Sequence, residues 1–159
     1  MRILKLTDIH GIHPDFSHVE RELDLAPVNL PDLALIPKAI ALRISEIYPL
    51  VISSPDLFCI GHTTLYRWLM AYMDPETSVR CIEWPYKLTK AFIYQLVLSE
   101  RLIAPALARI TPQQVRDLYR HITHAPEQWP HEYRSYAHLA QLVGVKPLTG
   151  TAPKKRGDA

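Results

Sequence analysis

The sequence predicts an α+β fold in which helices pack on a small mixed sheet. Short apolar runs typical of strands alternate with stretches whose apolar residues recur at helical spacing. The chain has 14 prolines against 5 glycines, and proline favours element boundaries because it lacks an N–H donor. A length of 159 residues with 48% hydrophobic residues allows a buried core. Together with a net charge of +2, this composition excludes disorder for most of the chain.

The first part of the chain begins with a predicted edge strand, Arg2–Leu6, which is short and rich in apolar residues. Ser17–Glu20 has the spacing of a capping box, so a short helix is expected to start there and to run to about Leu25. Pro37 suits the first turn of a second helix. Pro49 is expected to end that helix, because the residue before a proline disfavours the α region.

The middle of the chain predicts a hairpin, a helix and a further strand. The apolar runs Pro49–Ile52 and Leu57–Ile60 flank a polar turn, which is typical of two antiparallel strands. Thr63 or Thr64 is expected to cap the helix, and Val79–Trp84 predicts the next strand. The core face of the helix is formed by residues at i, i+3, i+4 and i+7, namely Leu65, Trp68, Leu69 and Tyr72.

The C-terminal part is predicted to be helical. Leu88–Ala104 is apolar on most sides, which indicates a buried helix. Thr111-Pro112 begins another helix, and Ser135–Val143 forms a third that Gly144 ends. That last helix and its glycine also have the spacing of the first half of a helix-turn-helix. We therefore expect an α+β domain over 1–110, a helical extension over 111–149 and a disordered basic tail over 150–159.

A candidate anion-binding site lies where the second hairpin strand meets the following helix. A helix that starts directly after a strand leaves free N–H groups beyond the strand end, and Gly61 permits close approach to the backbone. His62, Thr63 and Thr64 add side-chain donors, and Arg67 follows one helical turn later. These residue types predict that the junction binds a phosphate group.

Residues 36–85 resemble the ParB N-terminal and sulfiredoxin-like superfamily. There, a helix leads to a hairpin, and a Gly-x-x-Arg or Gly-x-His-Arg type motif then opens the next helix. The corresponding segment here is Phe58-Cys59-Ile60-Gly61-His62. Thr63 or Thr64 stands at the position of the motif arginine, and His62 stands where a sulfiredoxin has its nucleophilic cysteine. The resemblance implies that this junction binds the phosphates of DNA or of a nucleotide.

The same resemblance implies a bacterial plasmid or mobile-element accessory factor. A residual nuclease or nucleotide hydrolase activity would use His62 as general acid or base, since the unperturbed pKa of a histidine lies near neutrality. The alternative is a catalytically inactive scaffold that docks a protein partner. This alternative is favoured by the missing motif arginine and by the aromatic segment Trp129–Tyr136. The sequence is compatible with an enzyme and with a binding protein, and it does not identify a cofactor.

The N-terminal Asp and His residues and the two cysteines could each serve either structure or chemistry. Five residues of metal-ligand type occur near the N-terminus: Asp8, His10, His13, Asp15 and His18. Their spacing is that of a loop rather than of one helical face, so we expect no metal site. Cys59 and Cys81 lie in two predicted strands, and packing in the core is favoured over a redox pair.

Charge is distributed unevenly along the chain. Residues 1–99 carry 9 Lys/Arg against 11 Asp/Glu, whereas residues 100–159 carry 9 against 5. The basic end, which includes Lys154–Arg156, suits a phosphate-rich partner. No apolar stretch approaches the roughly 20 residues of a membrane span, and two cysteines require no disulfide framework. A cytoplasmic protein without a membrane partner is therefore expected.

Overall fold

The computed structural model describes residues 1–128 and 131–146. The chain divides into two compact units, Met1–Ala108 and Arg109–Ala159. The first unit contains the sheet and several helices, and the described part of the second unit is helical. The predicted α+β fold with a small mixed sheet is confirmed.

The sheet of the first unit has four short strands. They span Arg2–Lys5 (β1), Leu50–Ser53 (β2), Cys59–Gly61 (β3) and Ser78–Trp84 (β4). The spatial order is β1-β4-β2-β3. The β1–β4 and β2–β3 pairs are antiparallel, and β2 runs parallel to β4. The structure thus has the edge strand, the hairpin and the later strand that the sequence predicts.

The helices of the first unit lie before, between and after these strands. They are α1 (Pro14–Glu22), α2 (Lys38–Ile47), α3 (Thr63–Tyr72), α4 (Lys90–Leu98) and α5 (Ala104–Leu107). A π-helical segment, Ser99–Ile103, joins α4 to α5. The inner face of the sheet packs with α2 and α3 in one apolar cluster, which includes Leu50, Ile52, Ala41 and Leu69. A second cluster joins α1 to α4 through Phe16, Val19, Ile93 and Val97.

Two predicted helices have different limits in the structure. α1 starts at Pro14, because Nδ1 of His13 accepts the N–H of Asp15 at 3.2 Å and caps the first turn. Ser17 and Glu20 therefore lie within the helix, and the predicted capping box is wrong. The helix predicted over 88–104 is interrupted by the π-helical segment. Its end is exposed rather than buried, since 51% of Leu102 and 53% of Ile103 are accessible to solvent.

The second unit contains α6 (Pro112–His124) and α7 (Tyr136–Val143), which begin at the predicted caps Thr111 and Ser135. Their buried residues form a separate core of Val115, Ile122, Leu139 and Ala140. Gly144 ends α7 in a left-handed conformation with φ 73°. A helix-turn-helix would place its second helix after residue 146. That part of the chain, the predicted tail and Trp129 lie outside the described residues.

Over the described residues, no single helix is both long and apolar enough to cross a membrane. Only Lys90–Leu107 and Pro112–His124, counted together as a bent pair, satisfy that criterion of length and composition.

Gly61 is required by close contact between two strands. It lies opposite Val51 in the β2–β3 pairing. A Cβ atom added to Gly61 would lie 2.8 Å from both Cβ and Cγ2 of Val51, well inside the distance at which carbon atoms attract one another. The missing side chain therefore lets β3 approach β2 just before α3 begins.

Replacing Gly61 by Ala should lower the free energy of unfolding by about 1–3 kcal/mol, because the new methyl group overlaps Val51. Urea unfolding of the full chain measures this loss. The loss should be smaller in a Val51→Gly background, which removes both contacting carbon atoms. An equal loss in the two backgrounds would show that the Val51 contact is not the cause.

Candidate functional site

The start of α3, where the sequence predicts a phosphate site, is capped by a carboxylate of the same chain. His62 has a left-handed backbone conformation (φ 56°) and gives α3 no side-chain cap. The carboxylate of Glu100 instead accepts hydrogen bonds from the amides of His62 and Thr63. The hydroxyl of Thr63 also donates to Glu100, at 2.5 Å. Glu100, in the π-helical segment, is therefore the N-terminal cap of α3.

This cap follows from the electrostatics of a helix end. The first N–H groups of a helix have no partner within the helix, and the helix dipole favours an anion beside them. Thr63 is fully buried, so its hydroxyl and amide need a partner within the protein. Glu100 satisfies both groups. The donors that were expected to contact a phosphate thus contact a protein carboxylate.

His62 and Thr64, two further residues of the predicted site, are exposed beside this cap. Nδ1 of His62 lies 2.8 Å from the carbonyl oxygen of Pro49, which accepts a hydrogen bond from it. The ring of Tyr48 makes an edge contact with that of His62, with centroids 6.1 Å apart. A shallow groove of about 260 Å³ lies here, lined mainly by apolar side chains: Ile44, Tyr48, His62, Thr64, Leu65, Glu100 and Ala104.

Arg67, the remaining residue of the predicted site, contacts α1 instead of the start of α3. Its guanidinium donates to both carboxylate oxygens of Glu20, at 2.6 and 3.3 Å. Arg101 donates to the same carboxylate and to the carbonyl oxygen of Ala26. The three charged side chains are largely buried, with 23% of Arg67, 14% of Arg101 and 11% of Glu20 exposed. Two guanidinium groups therefore share one carboxylate, and all three groups are largely buried.

These charged residues lie in an open groove of about 610 Å³, which we call the arginine groove. Its lining residues are Ser17, Glu20, Arg21, Leu25, Ala26, Pro27, Val28, Arg67 and Arg101. Arg21 is exposed and has no salt-bridge partner among residues 1–128 and 131–146. Three arginines against one glutamate give the groove a formal charge of +2.

The arginine groove retains hydrogen-bond donors for an added ligand. A guanidinium has five N–H donors, and the contacts described above use two of them on Arg67 and two on Arg101. Leu25, Pro27 and Val28 line the same groove with apolar surface. The groove therefore combines donors that suit an anion with a surface that suits an apolar group.

Four charged residues of this region are absent from the predicted site: Glu20, Arg21, Glu100 and Arg101. The sequence does contain a signal for two of them, because Glu100-Arg101 interrupts an otherwise apolar helix. Charged side chains on such a helix are seldom buried without a partner. The residues that neighbour Glu100 and Arg101 in sequence do not identify those partners, which are the start of α3 and Glu20.

Cys59 and Cys81 are free thiols in the apolar core of the sheet. Burial raises the pKa of Cys59 far above its ordinary value and that of Cys81 to about 11. Both side chains are therefore protonated at neutral pH, and the thiolate is the form that reacts. This environment suits core packing.

The N-terminal histidines serve local contacts. Nδ1 of His10 lies 2.7 Å from the carbonyl oxygen of Asp56, and His13 caps α1. Within the part of the chain that the structure describes, no three His, Cys, Asp or Glu side chains form a group that would bind a metal ion.

Comparison with known proteins gives no relative, since no family model, curated protein or solved structure matches the chain. The resemblance to the ParB and sulfiredoxin-like superfamily stays a prediction.

Replacing Glu100 by Ala should lower the free energy of unfolding by about 1–2 kcal/mol, because the first donors of α3 lose their acceptor. Glu100→Gln retains one acceptor oxygen and should lose less. Denaturant unfolding compares both variants with Glu46→Ala, which removes an exposed carboxylate paired with Arg43 and should cost under about 0.5 kcal/mol. A Glu100→Ala protein as stable as that control would contradict the cap.

Proposed function

We propose that this protein binds a phosphate-bearing ligand, a nucleotide or a nucleic acid, in the arginine groove. The observation that carries the proposal is the presence of three arginines and a single carboxylate in one open groove. Arginine suits phosphate because its planar fork donates two parallel hydrogen bonds to the oxygens of one anion. Of the site predicted from the sequence, Arg67 remains a ligand-binding residue. Gly61 belongs to the strand contact, the amides of His62 and Thr63 belong to the cap of α3, and Thr64 lines the groove at His62.

The geometry of the arginine groove supports binding without a chemical step. Glu20 holds the guanidinium groups of Arg67 and Arg101 in place, and both of its oxygens are engaged. Arg21 has no such partner among the described residues and extends the donor surface. The lining contains no histidine and no second carboxylate that would move a proton.

Two further features support a nucleotide or nucleic-acid ligand. The resemblance of residues 36–85 to ParB-like chains implies the same ligand class and a plasmid or mobile-element setting. Residues 109–159 carry 8 Lys/Arg against 4 Asp/Glu, a net charge of +4 that attracts polyanions. We place the protein in the cytoplasm, because its buried free cysteines suit a reducing compartment.

A second candidate function is that of a protein-docking scaffold. It is supported by exposed apolar side chains beside the groove at His62, since 62% of Ile47 and 56% of Tyr48 are accessible. Exposed apolar residues of this size are typical of binding surfaces when they are contiguous. The two candidates use different residues, so substitutions at Tyr48 and at Arg21 separate them.

Arg21→Gln should weaken the binding of nucleoside 5′-phosphates about tenfold, because one charge-assisted contact is lost. Calorimetric titration of the full chain with a panel of such nucleotides at low salt measures the change. Arg43→Gln is the matched control, since it removes the same charge from an exposed pair with Glu46 and should leave affinity unchanged. Equal affinities for the two variants would count against the arginine groove as the site.

A further inference from the structure

We infer that the arginine groove selects a small phosphate monoester, such as the terminal phosphate of a nucleotide, over the diester backbone of a nucleic acid. This inference rests on the proposed function and narrows its ligand class. Three properties of the first unit carry it: the charge of the groove, the size of the groove and the charge of the surrounding surface.

The charge of the groove matches a phosphate monoester. The side chains of Arg21, Arg67 and Arg101 together with Glu20 give a formal charge of +2. A phosphate monoester carries about −1.5 to −2 at pH 7, whereas a diester carries a single negative charge. A monoester also offers three terminal oxygens, which suits a site where several guanidinium groups meet.

The size and lining of the groove suit a compact ligand. Its volume of about 610 Å³ lies within the range of about 300–1,000 Å³ found for small-molecule sites. The segment Leu25–Val28 also lines the groove, and its side chains, which include one proline, are all apolar. A sugar or base attached to the phosphate would contact that apolar surface.

The rest of the first unit disfavours a long polyanion. Residues 1–108 carry 10 Lys/Arg against 12 Asp/Glu, a net charge of −2. Several cations outside the groove are already neutralised in salt bridges, namely Arg2 by Glu83, Lys5 by Glu76 and Arg43 by Glu46. A nucleic-acid strand needs a row of cations along its backbone. In this unit three arginines lie together in the arginine groove, whereas the net charge of the unit is negative.

The test compares esters that differ in one ionisable oxygen. The full chain is titrated with methyl phosphate and dimethyl phosphate, and then with adenosine 5′-monophosphate and its 3′,5′-cyclic diester. We expect each monoester to bind at least about tenfold more tightly than its diester. A short single-stranded oligonucleotide should bind more tightly with a 5′-phosphate than without one. Arg21→Gln should reduce each preference, whereas Arg43→Gln should retain it.

The outcomes separate this inference from the proposed function. Equal affinities for monoesters and diesters, or tight binding of an oligonucleotide without a terminal phosphate, would overturn the monoester preference and leave phosphate binding standing. If Arg21→Gln leaves the preference for monoesters unchanged, that preference arises outside the arginine groove. This outcome also overturns the inference. If none of these phosphate compounds binds, both proposals fail.

Discussion

The carboxylate of Glu20 lies between the guanidinium groups of Arg67 and Arg101, and this contact connects α1, α3 and the π-helical segment. The three charged groups are largely removed from water, so both guanidinium groups depend on the carboxylate of Glu20 for compensation. The chain segments that carry them are far apart in sequence, since Arg101 lies 81 positions after Glu20. The position of α1 relative to α3, and with it the shape of the arginine groove, depends on this shared ion contact.

Glu100, the neighbour of Arg101, connects the π-helical segment to the start of α3, which directly follows a strand of the sheet. Consecutive side chains of a helical segment point in different directions, so neighbours on the π-helical segment reach different partners. Glu100 caps α3 directly after β3, whereas Arg101 contacts Glu20 on α1. π-helical turns are rare and occur frequently at functional sites. Here the π-helical turn places Glu100 at the start of α3 and Arg101 in the arginine groove.

Local signals in the sequence predict most of the helices and strands. The charged contacts of the site join residues far apart in sequence, so local signals do not predict them. The β2–β3 hairpin and α6 are predicted because turn residues, caps and apolar periodicity act over a few positions. The capping box at Ser17–Glu20 fails because α1 already starts at Pro14, where His13 caps the first turn. The Glu20 carboxylate binds two arginines that lie far away in sequence instead. The same limit applies to the site. The β3–α3 junction is visible in sequence, but the cap from Glu100 depends on a residue 37 positions later than Thr63.

The most direct test of the arginine groove is the effect of inorganic phosphate on the thermal stability of Glu20→Gln and of the unsubstituted chain, at ionic strength matched with chloride. Loss of the carboxylate leaves Arg67 and Arg101 uncompensated, which should lower the free energy of unfolding by about 2–4 kcal/mol. A phosphate ion that takes its place stabilises the folded state in proportion to its binding. We expect a larger phosphate-dependent rise in melting temperature for Glu20→Gln than for the unsubstituted chain. Equal rises in the two proteins, or a rise that chloride reproduces, would contradict it.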